Sequence, residues 1–283
     1  MTTTPALDRD ARAVVRRPVG TLGRRVLHVV RVEDVTPRYR RVVLGGADLD
    51  AGFPWADLAP TDHVKVVFPD PATGELLLPQ PGPGGLRNPD GTRPAVRDYT
   101  VRAWDAEARE LTLDLVLHGH GVASRWASSA RPGDGLGVLG PRGNVLFPHG
   151  YPCYLAVGDA TALPAISRLL EELPDGARAT AILEVEDAAE EQRIASREGV
   201  EIVWVHRGAH PEADRLERAL RAWTPPQDDD WFAFAAGEAT AMRPVRQYLR
   251  HELGLPRAQV HVDGYWKRGE AGLDHHAVDL GDD

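Results

Sequence analysis

The run Val96-Arg97-Asp98-Tyr99-Thr100-Val101-Arg102 places two arginines, an aspartate, a phenol and a hydroxyl in one strand-length segment. A half-buried strand carries alternating apolar side chains, so these polar groups either form a polar strand edge or face a ligand. A second group follows at His118-Gly119-His120-Gly121-Val122-Ala123-Ser124-Arg125-Trp126-Ala127. Its glycines permit a tight turn into a helix, whose early amides at Ala123 and Ser124, assisted by the Ser124 hydroxyl, could bind a pyrophosphate. The same residues also read as an ordinary helix start with a core tryptophan. Two further candidates are Gly158-Asp159-Ala160-Thr161 and Ala236-Gly237-Glu238-Ala239. Each ends an apolar run, where small residues let phosphates or a ring approach the backbone. Glycines also close strand-to-helix turns with no ligand. Neither G-x-G-x-x-G nor a Walker sequence is present.

These residues need elements to hold them. In the first half, "HVKVVFP" sets Val64, Val66 and Phe68 against Lys65 and Val67, and "ELTLDLVLHG" lines up Leu111, Leu113, Leu115 and Leu117 on one face. With the glycine-bounded "DGLGVLGPRG", the spacing predicts an antiparallel sandwich or small barrel. The Pro/Gly-rich stretch 78–94 is expected to be a flexible surface loop. From Tyr151 the pattern changes. "YPCYLAVGD", "ATAILEVE", "GVEIVWVHR" and "WFAFAAGE" read as buried strands. Helical stripes alternate with them: Leu163, Ile166, Leu169, Leu170 and Leu173, then Met242, Val245, Leu249 and Leu253. Strands alternating with helices predict a parallel sheet, so an α/β unit follows the barrel, with the boundary near Phe147–Tyr151.

The bulk properties narrow the partners. The chain has 283 residues, 42% of them hydrophobic, enough for two modest domains. A net charge of -9 and a pI near 5.7 argue against a general affinity for nucleic acid or anionic lipid. The single cysteine, Cys153, excludes an intrachain disulfide and a cysteine-built metal cluster. No metal site is expected. The N-terminal segment lacks a signal-peptide core and no apolar run reaches membrane-spanning length, so a cytoplasmic protein is expected. His275-His276 sits in an acidic segment that reads as a flexible tail.

In this order, an Arg-x-Tyr-Thr strand, a Gly-x-Ala-Ser helix start and an α/β nucleotide unit resemble the ferredoxin-reductase-like flavoproteins. "GYWKRGE" at 264–270, with "GDATALPAI", "AAGEATAMRPVRQYLR" and "RGNVLFP", narrows the resemblance to the siderophore-interacting proteins, the flavin-dependent ferric-siderophore reductases. It covers roughly Arg25 to Glu270. Val122 stands where that pattern has proline, and Ala160 where it has glutamate.

After a polar, aperiodic flexible leader at 1–20, disordered or loosely docked, the resemblance implies an FAD-binding antiparallel Greek-key β-barrel at 21–148, an NAD(P)H-binding α/β domain at 149–264, and a C-terminal motif with acidic tail at 265–283. It puts Arg97 on an FAD phosphate, Tyr99 beside the flavin and ribityl chain, and Thr100 at the flavin N5 edge. His118, Gly121, Ala123 and Ser124 would hold the rest of FAD, with Trp126 as a packing or adenine-side residue. Gly158, Asp159, Thr161, Ala162, Gly237 and Glu238 would take the nicotinamide dinucleotide. Glu184, Glu186 and Asp187 favour NADH by repelling a 2′-phosphate; Arg207 could counter them, leaving NADPH, and reduced ferredoxin, as other donors. The implied reaction is hydride transfer to flavin and one-electron reduction of a ferric siderophore, by a protein expected to be monomeric. Lys65, Arg142, Lys267 and Arg268 are the cations expected to meet the anionic complex. Three other readings stand beside it: a flavin or ferredoxin-type reductase of the same architecture with another acceptor, a siderophore-binding flavoprotein without turnover, and an unrelated nucleotide-binding protein.

Overall fold

The computed structural model describes residues 9–19, 22–82, 85–195, 197–208 and 214–270. The chain divides into two compact units, one of them Arg16–Asn144. The other unit combines, among the described residues, 9–15 and 145–270.

The first unit is a closed six-stranded barrel. Its strands are β1 (Arg24–Thr36), β2 (Tyr39–Gly45), β3 (His63–Val67), β4 (Val96–Asp105), β5 (Glu110–Val116) and β6 (Gly135–Leu139). They run antiparallel in the order β1-β2-β5-β4-β3-β6, which leaves no sheet edge open. The period-two pattern fills the interior: Leu27, Val42, Leu44, Val64, Val66, Val101, Leu111, Leu113, Leu136 and Val138 are all buried in one cluster. Each such aliphatic side chain contributes roughly 1.5–3 kcal/mol by leaving water. Asp114, on the opposite face of β5, is buried beneath Arg41, whose guanidinium donates to both carboxylate oxygens at 2.8 Å. The helix α1 (Gly121–Ser129) follows β5 and buries Ala123, Ser124 and Ala127.

The second unit is a five-stranded parallel sheet flanked by helices. In chain order it contains β7 (Cys153–Asp159), α2 (Leu163–Glu171), β8 (Arg178–Val185), β9 (Val200–His206), α3 (Arg215–Ala222), β10 (Trp231–Glu238), α4 (Ala239–Gln247) and β11 (Val260–Trp266). The spatial order is β9-β8-β7-β10-β11. Every residue of β7 is buried, which is why that strand reads as one continuous apolar run. After β7 the chain moves outward through β8 and β9, then returns to place β10 on the other side of β7. The carboxyl ends of β7 and β10 therefore flank a topological switch point, the place where open α/β sheets bind ligands.

Residues 9–15, within the leader expected to be disordered or loosely docked, dock on the α/β unit. The Ala11 carbonyl accepts the amides of His149 and Gly150, and Arg12 pairs with Asp230 at 2.5 Å while lying 5.0 Å over the Tyr151 ring. The stretch 78–94 is not loop throughout, because Gln80–Gly82 and Gly85–Arg87 pair as a short antiparallel ladder. The last strand runs on to Trp266, taking in the first three residues of "GYWKRGE". Residues 1–8 and the tail 271–283, with His275 and His276, lie outside the described residues. Among the described residues, no helix is long and apolar enough to cross a membrane.

Candidate functional site

The opening segment lies on β4, antiparallel to β3, with Val66 opposite Arg97, Lys65 opposite Asp98, Val64 opposite Tyr99 and His63 opposite Thr100. Directly paired residues share a face. Arg97 and Tyr99 therefore lie on the face of Val64 and Val66, while Asp98 and Thr100 lie on the other. Burial raises the Tyr99 phenol pKa, slightly countered by the Arg97 charge. The Tyr99 ring meets Phe68 edge-on at 6.5 Å. Arg97 gives one N–H to the Val96 carbonyl at 2.7 Å. The two carboxylate oxygens of Asp98 accept from the Lys65 ammonium at 2.8 and 2.9 Å. Lys65, expected as a lone cation for substrate, is thus held by a cross-strand carboxylate. Thr100 is buried.

The turn from β5 into α1 is tight and glycine-bounded. Gly119 and Gly121 have φ of +76° and +72°, left-handed values that glycine adopts without strain. The Ser124 oxygen accepts the His118 and Gly119 amides at 3.0 and 3.1 Å, and its side chain is buried. Ser124 therefore fixes the turn from behind and does not face outward as expected. The first-turn amides of α1, at Gly121, Val122 and Ala123, have no acceptor within the helix. The N-cap residue, His120, supplies no side-chain acceptor to them. Space around Gly119 is open, with no atom within 4 Å of a Cβ built there. A cradle of donor amides at a helix N-terminus, open on one side, fits a pyrophosphate. His118 is exposed at the surface; partial desolvation of its ring first, and the neighbouring His120 second, lower its pKa. Trp126 meets Phe68 at 5.7 Å and packs on the barrel cluster, so it takes the packing half of its expected role.

In the α/β unit, the predicted residues gather at the switch point. Asp159 ends β7 and is buried, yet all its acceptor capacity is matched. Its Oδ1 accepts from the Thr161 amide at 2.8 Å and hydroxyl at 2.5 Å. Its Oδ2 accepts from the Glu238 amide at 2.9 Å and the Trp266 indole at 2.8 Å. Glu238 caps α4 by accepting the Ala241 amide at 2.9 Å, and its other oxygen accepts the Arg268 amide at 3.1 Å. Gly158 and Gly237 are glycines for steric reasons. A Cβ on Gly158 would lie 2.7 Å from the Ala162 Cβ, and one on Gly237 would lie 2.7 Å from Asp159 Oδ2. Ala162 is buried beneath the start of α2, while Thr161 stays partly open.

At the end of β8, Glu184 accepts two hydrogen bonds from Arg207, at 2.9 and 2.8 Å, and Glu186 lies 3.7 Å from the same guanidinium. Burial works against the Arg207 charge, but the hydrogen bonds to Glu184 and the charges of Glu184, Asp159 and Glu186 outweigh it and raise the pKa.

Arg142 is exposed and lies past the end of β6, in the barrel unit, and its carbonyl accepts the Val19 amide. Lys267 and Arg268 are exposed in the α/β unit, with Lys267 3.2 Å from Glu270. The residue that sequence reasoning passed over is Trp266. It was visible only as part of a motif, because its link to Asp159 spans more than a hundred residues of chain.

Comparisons with known proteins agree with this architecture, which is that of the ferredoxin-reductase-like flavoproteins. Residues 28–145 match the model for a siderophore-interacting FAD-binding domain, and residues 151–269 match that for siderophore-interacting protein. The ferric vibriobactin reductase ViuB of Vibrio cholerae is 35% identical over 253 residues, 87% of this chain and 90% of that protein. The NADPH-dependent ferric-chelate reductase of Escherichia coli is 36% identical over 245 residues, 86% of this chain and 92% of that one. A crystal structure of a siderophore utilization protein from T. fusca superposes with a TM-score of 0.83 at 48% identity, covering 93% of this chain and 99% of that chain. The chain belongs to the siderophore-interacting protein family, with an FAD-binding barrel followed by its α/β partner domain.

Proposed function

We propose that this protein reduces ferric siderophores with FAD as its resident cofactor, taking electrons from a nicotinamide dinucleotide and releasing iron as Fe(II). The observation that carries this reading is the α1 cradle on a closed barrel, followed in the chain by a parallel sheet whose switch point is flanked by Gly158 and Gly237. Ferric-reductase relatives matching most of the chain support it. Bound flavin supplies the conversion of a hydride donor into single-electron deliveries to ferric iron.

The chain's own groups bind and orient. The α1 amides hold the pyrophosphate, with the Arg97 guanidinium on the same cofactor as a charge-assisted donor. The glycines at the ends of β7 and β10 let the dinucleotide approach backbone. NADH is the proposed donor, because Arg207 is engaged by Glu184 and Glu186 and leaves an acidic strand end for the ribose. NADPH is the second reading, favoured by the printed name of the Escherichia coli relative; reduced ferredoxin is a third donor to be tested alongside. The cations Lys267 and Arg268 are proposed to meet the ferric complex, with Arg142 as a further contact. The reaction is assigned to a cytoplasmic monomer.

The test is the visible spectrum of the purified protein during anaerobic addition of NADH, then NADPH, then reduced ferredoxin, and finally a ferric siderophore with an Fe(II) trap. The reading requires flavin bands that bleach with a donor and return with the iron complex as trapped Fe(II) appears. A protein without flavin bands, or one whose bleached bands ignore the iron complex, would sink it.

A further inference from the structure

Beyond Gly237, the ladder between β10 and β11 slips. Gly237 pairs with Gly264, but Glu238 pairs with Trp266, so one extra residue is inserted on β11 at Tyr265. A bulge of this kind re-aims the side chains that follow it. Here the following side chain is Trp266, whose indole N–H reaches the buried Asp159 Oδ2 at 2.8 Å. The absence of a side chain at Gly237 leaves that carboxylate its place. The chain then enters a tight turn at Lys267. The Glu270 amide donates to the Lys267 carbonyl at 3.1 Å, and Gly269 sits at φ +80°. On the far side of Lys267, the Arg268 amide is held by Glu238 at 3.1 Å. Lys267 is therefore flanked by two anchors, and both anchoring carboxylates belong to neighbouring strand ends.

We propose that Trp266, through Asp159, is a positioning residue for the Lys267 turn, which receives an anionic ferric complex. The inference rests on the ferric-siderophore reading given above. Asp159 and Glu238, at positions that read as dinucleotide ligands, serve the iron-substrate end of the unit. The Asp159 oxygens are saturated by the protein's own donors and each Glu238 oxygen already holds one backbone amide, so the dinucleotide meets chiefly backbone and glycine there. A long lysine side chain left to itself samples many directions. Anchoring the residues before and after it fixes where its backbone launches the ammonium.

The experiment compares four proteins, wild type, Trp266→Phe, Lys267→Ala and the double variant, using NADH and the trianionic ferric tris-catecholate as probes. Trp266→Phe keeps an aromatic side chain and removes the indole N–H donor. Its apparent KM for the ferric complex should rise on the order of tenfold, the scale of a lost hydrogen bond to a charged group. Flavin content and the single-turnover rate of flavin reduction by NADH should match wild type. The double variant should be no worse than Lys267→Ala, because Trp266 acts through that lysine. An unchanged KM, an additive double variant, or slowed flavin reduction in Trp266→Phe would each overturn the proposal. A second pair is independent of the indole. Arg268→Pro and Arg268→Ala both remove the cation, but only proline removes the amide donor, in a turn that accepts proline at that place. Arg268→Pro should show the higher KM, and equal values count against the anchors. If wild type is reduced by a donor yet never reoxidised by the ferric complex, the functional reading fails first and takes this inference with it.

Discussion

The barrel turn and the switch point of the sheet both looked like ligand loops, but they are built on opposite terms. At the barrel turn the protein leaves donors open: the early amides of α1 have no helical acceptor, and the space over Gly119 is empty. At the switch point the polar groups are matched internally, with Asp159 holding Thr161, Glu238 and Trp266. The first arrangement can take an anion without breaking anything. The second is a clamp that shapes a crevice while offering a ligand little from its carboxylates. An acidic residue in a motif therefore says nothing about a ligand until its hydrogen bonds have been followed to their partners.

The largest effect should come from breaking the clamp by size. Gly237→Ala puts a Cβ 2.7 Å from Asp159 Oδ2 at a φ of +154°, and we expect a loss of about 2–4 kcal/mol in chemical denaturation. Gly119→Ala meets no neighbour and should lose only about 1–2 kcal/mol of stability, through added backbone strain. Equal losses would erase the contrast between the two regions. Next in size, Arg97→Ala removes a charged donor from the proposed phosphate end of the barrel and should weaken FAD retention by about ten- to a hundredfold. Flavin stoichiometry equal to wild type after dialysis would remove that role from Arg97.

A smaller change sharpens the comparison at the edge of the sheet. Glu184→Gln loosens the hold on Arg207 and lessens the acidity of that strand end. The NADPH-to-NADH ratio of kcat/KM should rise by about three- to tenfold, the scale of one charge-assisted contact; an unmoved ratio would place donor selection elsewhere. The smallest effect is in pH. The folded protein depresses the His118 pKa below 6.5, through burial first and the His120 charge second. A depressed histidine contributes stability above its unfolded pKa and loses it as pH falls through the lower folded value. The midpoint of denaturation should therefore drop on acidification from neutral pH, and His118→Gln should reduce that drop. An identical pH dependence in the variant would show that other groups carry it.

Much of the fold was readable before the structure. Alternation at Leu111, Leu113 and Leu115 predicts a barrel wall because one face of such a strand meets core, and the unbroken apolar run at Tyr151–Gly158 predicts a strand covered on both sides. The candidate site was readable as residue types at turn positions, since glycines and small residues there reflect local geometry. Partnerships were not. Lys65 looks unpaired in its own strand because Asp98 is thirty-three residues away and meets it only through the β3–β4 register. Ser124 looks like a ligand, and only the turn geometry shows its oxygen occupied by two amides.

By itself, then, the sequence determined a barrel followed by an α/β unit, the family, and the chain positions of the candidate ligand loops. Each of these depends on local periodicity or on short motifs. The tertiary structure alone decided which polar groups stay open and which are committed. The one-residue slip that carries Trp266 to Asp159 is the clearest instance. Nothing within "GYWKRGE" announces it, because a bulge is set by how two neighbouring strands pair, and hydrogen bonds saturate between residues that only the fold brings together.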